Sequence, residues 1–200
     1  MTESQLEHEL HWSLPAGWES LLPKEALTGD QARMNFVVGL ARWNIRNRTG
    51  GPFAAAVFER GSGRLAAVGV NRAVPLTSSM AHAEALAIGL AQKRFRTHDL
   101  SSVSGTGFEL VTSGQPCIQC FGMVWWSGVT RLVVGARAAD IEEICGFDEG
   151  PIPADWKSQL ENRDRLPAVE VLLDVCRDEA CAALQMYADM NGPNYSPGHS

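Results

Sequence analysis

The chain has 200 residues, 45% apolar and 20% charged, the profile of one globular domain with a substantial core and room for an appended element. A net charge of −6, with no basic cluster beyond Lys93, Arg94 and Arg96 at a predicted helix end, argues against a nucleic-acid-binding face. No apolar run is long enough to span a membrane, and Met1 to Leu10 is polar and acidic, without the basic start and apolar stretch of a secretory leader.

Residues 1–29 have no clean period and carry Trp12, Pro15, Trp18 and Pro23; they read as an extension packed irregularly on the domain. Asp30 is placed to cap a helix running to about Arg48, because Met34, Val37, Val38, Ala41 and Ile45 recur at helical spacing. Gly50-Gly51-Pro52 stops it. Phe53 to Glu59 reads as a strand, Gly61-Ser62-Gly63 as a hairpin turn and Arg64 to Asn71 as the returning strand, followed by a loop over Val74 to Met80. An alanine- and leucine-rich helix is expected over His82 to Phe95, a strand over Phe108 to Thr112 and a turn over Ser113 to Pro116. Cys117 to Trp126 then reads as a helix, Arg131 to Ala136 as a strand and Ala139 to Cys145 as a short helix. A turn-rich segment over 146–151, a strand over Ala168 to Leu173 and a helix over Cys176 to Met190 complete the domain, 30–190. Residues 191–200 form a glycine- and proline-rich tail. Strands alternating with helices imply an α/β sheet covered on both faces.

The chemistry is concentrated in His82-Ala83-Glu84 and Pro116-Cys117-Ile118-Gln119-Cys120. His82, Cys117 and Cys120 offer one nitrogen and two sulfurs, three ligands for a tetrahedral Zn2+ that keeps one position open for water. Glu84, two residues from the histidine, is the natural general acid/base. Either half alone is a weak signal; together, in this order and with proline before the first cysteine, they match the signature of zinc nucleobase deaminases. The competing structural reading is a closed zinc knot with Cys145, Cys176 or Cys181 as fourth ligand, but none of these sits in a ligand pair. Thiolate ligands suit a reducing compartment, so the cytoplasm is expected.

A flat ring needs aromatic walls and a few polar groups at its edge. Phe53 and Trp126 are candidate walls, although spacing alone favours core aromatics. Asn71 can donate and accept at a base edge, or form a turn. Asp148-Glu149 is a second acidic pair able to ferry the leaving amine's proton, or a loop charge. Tyr195 in the tail is a candidate cover.

At these residues the chain resembles the cytidine deaminase superfamily. More narrowly, it is similar to the bacterial guanine deaminases of that superfamily, a group that also includes members acting on the triazine ammeline. The resemblance spans about Gln31 to Tyr195. It rests on Gly50-Gly51-Pro52-Phe53-Ala54, Asn71, Ala81-His82-Ala83-Glu84, Thr112-Ser113, the paired cysteines, Trp126, Gly146-Phe147-Asp148-Glu149 and a tyrosine near the C-terminus. Transfer RNA adenosine deaminases share the zinc motif but not that loop and tyrosine. The resemblance implies a three-layer α/β/α fold with a central mixed five-stranded sheet. It implies Zn2+ on His82, Cys117 and Cys120, Glu84 as proton shuttle and Glu149 as a second acid. It implies a purine site made by Phe53, Asn71, Ala81, Ser113, Trp126, Asp148 and Tyr195. The expected reaction is hydrolysis of guanine at carbon 2 to xanthine and ammonia by a zinc-activated water, with ammeline and, further off, cytosine or cytidine as alternatives. A small-molecule nucleobase substrate, no nucleic acid, no membrane, and a homodimer with exchanged C-terminal segments are also implied. The chain departs from the usual pattern at Gln115, where a glutamate commonly precedes the Pro-Cys pair.

Overall fold

A computed structural model describes residues 7–103, 105 and 107–198. The first six residues of the extension and the last two of the tail lie outside the described residues. Helix α1 spans Asp30–Arg46, strands β1 and β2 span Ala54–Glu59 and Leu65–Val70, and helix α2 spans Ala83–Phe95. Strand β3 (Phe108–Gly114), helix α3 (Ile118–Ser127), strand β4 (Arg131–Ala136) and helix α4 (Ala138–Cys145) follow. Helix α5 (Trp156–Glu161), strand β5 (Glu170–Leu172) and helix α6 (Arg177–Asp189) close the domain.

The strands form one sheet in the order β2-β1-β3-β4-β5. The β1–β2 and β1–β3 pairs are antiparallel, the β3–β4 and β4–β5 pairs parallel. Period-2 alternation divides the strand residues between two cores. Ala54, Ala56, Phe58, Val111 and Val133 face one, with Met34, Val37 and Ala41 of α1 and Ala180, Ala183 and Leu184 of α6. Ala55, Val57, Leu110, Leu132 and Val134 face the other, with Ala87 and Ile88 of α2, Val124 of α3 and Leu160 of α5. A sheet apolar on both faces must be covered on both, which gives three layers, α/β/α. Gly69 lets α2 lie directly on β2: a Cβ there would collide with the Ala83 carbonyl and the Ala87 nitrogen. From the extension, Leu14, Trp18, Leu21 and Leu27 pack against the first core.

Several local expectations shift. Asp30 does not cap α1; Gly29 holds that position, and Asp30 instead pairs with Arg131 through contacts of 2.6 and 2.9 Å. Arg131 also reaches the buried Glu109, which Arg33 joins, so α1, β3 and β4 are tied at one end by an ion network that outweighs the capping preference. Helix α1 stops at Arg46, two residues early, because Arg48 has left-handed φ (53°). Strand β3 runs two residues past Thr112, so Ser113 is sheet rather than turn. Helix α5 was not visible in the sequence, being six residues with little period. Among the described residues no helix is long and apolar enough to cross a membrane.

Candidate active site

The site lies where the N-termini of α2 and α3 meet the sheet, beyond the carboxyl end of β3 and at the start of its antiparallel neighbour β1. His82 and Cys117 are the N-cap residues of α2 and α3, both with extended backbone, and Cys120 is in the first turn of α3. His82 Nδ1 is 3.4 Å from Cys117 Sγ and 3.6 Å from Cys120 Sγ. Tetrahedral bonds of about 2.1 Å to nitrogen and about 2.3 Å to sulfur would separate such atoms by about 3.6 Å. These three residues are the potential ligand group among the described residues, with all donor atoms within 4.8 Å of one another. Cys145, Cys176 and Cys181 are not in it, so the donor set is the open three-ligand kind, and it fits zinc.

Electrostatics also call for a cation. The Cys117 thiol is drawn down to about 4, first by its hydrogen bond from Cys120, with the His82 imidazole helping. Cys120 is pushed up by the same bond and by burial, as expected when two thiols share a proton. Glu84, 6% exposed, has its pKa raised by burial and then by the Cys117 charge. Glu149 is raised to about 8 by burial, then by the charges of Cys117 and Glu84. Burial pulls the His82 imidazole down, but Cys117, Glu84 and Glu149 raise it on balance. Four acids thus crowd one imidazole, a field that a bound divalent ion would neutralise.

Glu84 is held from two sides. Its Oε1 lies 3.1 Å from the Thr112 hydroxyl and its Oε2 3.4 Å from Cys120 Sγ. Glu149 follows α4 in a loop whose carbonyl accepts from Ile118 N (3.0 Å), so the N-terminus of α3 fixes both the cysteines and this carboxylate. His82, Glu84, Cys117 and Glu149 line a cavity of about 520 Å³, together with Phe53, Asn71, Phe147, Asp148 and Tyr195.

Residues 27–136 match the family described as "Cytidine and deoxycytidylate deaminase zinc-binding region". The chain belongs to this family. A crystallised mutant of NE0047 in complex with 8-azaguanine is 48% identical, with TM-score 0.85, covering 93% of this chain and 99% of that one. A solved guanine deaminase from Nitrosomonas europaea is 48% identical, with TM-score 0.84, covering 92% and 98%. The guanine deaminase of Bacillus subtilis is 30% identical over 136 residues, 68% of this chain and 81% of its own length. A zinc-binding family and a His82, Cys117 and Cys120 cluster that could hold a metal agree on zinc as the cofactor.

Of the residues singled out for binding, four line the cavity. Phe53 packs on Phe147 (ring centroids 5.7 Å), and Phe147 on Tyr195 (4.6 Å), so three rings make one wall. Asn71 is 1% exposed; its Oδ1 accepts from Ala73 N (3.2 Å), which leaves its Nδ2 as the atom offered to a ligand. Asp148 is at the rim, its Oδ1 accepting from Gly150 N (2.8 Å). Ser113 and Ala81 are not among its lining residues. The Ser113 hydroxyl accepts from Ala54 N (3.1 Å), and Ala81 uses its nitrogen and carbonyl on Ser78 and Arg72. Trp126 is outside the cavity, 72% exposed on the outer face of α3, because Cys120, Val124 and Ser127 define the inward stripe and Trp126 is off it.

Asn44 escaped the sequence reading. It sits on the apolar stripe of α1, at 0% exposure, and its Nδ2 donates to Gly51 O (2.8 Å) and Asn71 O (3.0 Å) while its Oδ1 accepts from Thr49 Oγ1 (2.6 Å). A polar residue interrupting that stripe was its one sequence signal. Replacing Asn44 by Ala leaves two buried carbonyls short of a donor, so a loss of about 2–4 kcal/mol in urea unfolding is expected. A loss below about 0.5 kcal/mol would show that the tie carries no load.

Proposed function

We propose that the chain is a zinc-dependent aminohydrolase that converts guanine and water to xanthine and ammonia. The observation that carries this is the juxtaposition, in one aromatic-walled cavity, of a three-ligand zinc cluster with two buried carboxylates of raised pKa. Solved relatives at 48% identity, one a guanine deaminase and one holding 8-azaguanine, support the purine as ligand.

Zinc, when bound, supplies the Lewis acidity that makes a water nucleophilic near neutral pH. Glu84 takes a proton from the attacking water and delivers it to the ring nitrogen beside carbon 2. Glu149 passes a proton to the departing amine, which leaves as ammonia, and recovers one from the hydroxyl on carbon 2 as that oxygen becomes the carbonyl of xanthine. Phe53, Phe147 and Tyr195 hold the flat ring and exclude water. Asn71 Nδ2 donates to an acceptor on the purine edge, and Asp148 shapes the rim through its turn with Gly150. The domain over 30–190, with its extension and tail, is proposed to work as a cytoplasmic homodimer, with C-terminal segments that two subunits could exchange; Tyr195, which lines the cavity, is the tail residue that would close the site.

Ammonia release by zinc-loaded protein from guanine, guanosine, ammeline, adenine, cytosine and cytidine tests the assignment. Release from guanine with xanthine formed is expected. Preference for ammeline would keep zinc and Glu84 but reassign the ring-edge contacts, and release only from cytosine or cytidine would overturn the purine assignment.

A further inference from the structure

The tail that brings Tyr195 over the cavity is seated by one side chain of α6. After α6 the chain turns at Asn191 (φ 52°), and Gly192 N donates to the Tyr187 carbonyl (3.0 Å). Gly192 then lies flat on the Tyr187 ring; a Cβ there would run into three of its carbons. The Tyr187 hydroxyl, reaching past it, donates to Pro193 O (2.8 Å). Asn194 Nδ2 next donates to Gly146 O (2.7 Å), and its Oδ1 accepts from Ser196 N (2.9 Å), which turns Tyr195 inward. Tyr195 ends with its hydroxyl against Gly51, where an added Cβ would lie 2.6 Å from it.

Around the turn itself the packing is more open. A cavity of about 240 Å³, lined among others by Ile45, Gly51, Val74, Met190 and Pro193, lies beside it, so part of the tail lacks the close contacts that seat a core residue. Tyr187 is 6% exposed, and its ring stacks on Phe147 (6.2 Å, 30°), the ring Tyr195 also packs on. It therefore touches both ends of the tail's path, from the turn at Gly192 to the aromatic wall.

We propose that Tyr187 is a positioning residue: with Gly192 it latches residues 192–198 so that Tyr195 closes over the bound ring. The inference rests on the cavity being the purine site. The latch acts on substrate retention and not on proton transfer, since neither Tyr187 nor Gly192 lines that cavity.

Tyr187→Phe removes the hydroxyl and keeps the ring. In zinc-loaded full-length protein, amide exchange over 192–198 is expected to quicken roughly three- to tenfold, the scale of one lost buried hydrogen bond, with α6 and the sheet unchanged. KM for guanine should rise by a similar factor and kcat stay within about twofold. Unchanged exchange, or faster exchange with unchanged KM, overturns the proposal. If Tyr187→Phe fails to fold, Gly192→Ala decides by the same two readouts, because its added methyl would run into the Tyr187 ring and displace the latch. Should the wild type turn over no purine, the functional assignment fails, and the exchange comparison still decides whether Tyr187 holds the tail.

Discussion

Glu84→Gln is expected to lower kcat on guanine by about 10²–10⁴ while zinc content is unchanged. Glutamine matches glutamate in shape and can keep the contact of Oε1 with the Thr112 hydroxyl, 3.1 Å away, so the wall around it should not collapse. It cannot take up and release a proton. Glu84 is suited to that task by its surroundings: in the first turn of α2, two residues from His82, it is buried, and burial followed by the Cys117 charge raises its pKa. A carboxylate so placed can hold a proton between its removal from water and its delivery to the ring. Steady-state kinetics with metal analysis on the same preparation checks this. Turnover within tenfold of wild type would take Glu84 out of the proton path. Loss of zinc would make it a support for the metal instead.

The residues that metal chemistry constrains most were legible in the sequence. Ligation demands particular residue types at spacings a helix start can satisfy, so His82, Glu84, Cys117 and Cys120 stood out before any fold was known, and the structure brings their side chains together. The layer order was legible for a similar reason: apolar strands alternating with amphipathic helices have few ways to bury both sheet faces. What could not be read was orientation. The position of Trp126 in the sequence says that it follows Cys120 on one helix, but the rotation of α3 on the sheet sends it to the outer surface. Ser113 has a hydroxyl free to bind a ligand in the sequence, and in the fold Ala54 N uses it. Asp30 has the chemistry of a cap and is drawn off by Arg131, a partner 101 residues away. For Ser113 and Asp30 a long-range contact overrides a local preference, and for Trp126 the setting of the helix decides.

Stripping zinc with a chelator is expected to cut turnover by at least ~10³-fold, with activity restored by added zinc, and the loss of stability should grow with pH. The pH trend follows from the metal-free site. The folded pKa of Glu149, about 8, lies above its ordinary 4.5, so its stabilising contribution is full below about 4.5 and lost as pH rises through 8. Cys117 has the opposite sign: its pKa falls from 9.0 to about 4, so its contribution is present above 9.0 and lost as pH falls through 4. Between 4.5 and 8 these two act in opposite directions. Glu84 and His82, both raised, then decide the slope, and raised groups lose their contribution as pH increases. The metal-free protein should therefore weaken from pH 5 to pH 8. Zinc acts the other way, because its thiolate ligands must give up the proton that Cys120 holds, so affinity increases with pH and loading releases protons. The difference in Tm between zinc-loaded and stripped protein should widen from pH 5 to pH 8. A difference that shrinks over that range would mean that the ion is not held by these two thiolates and the imidazole.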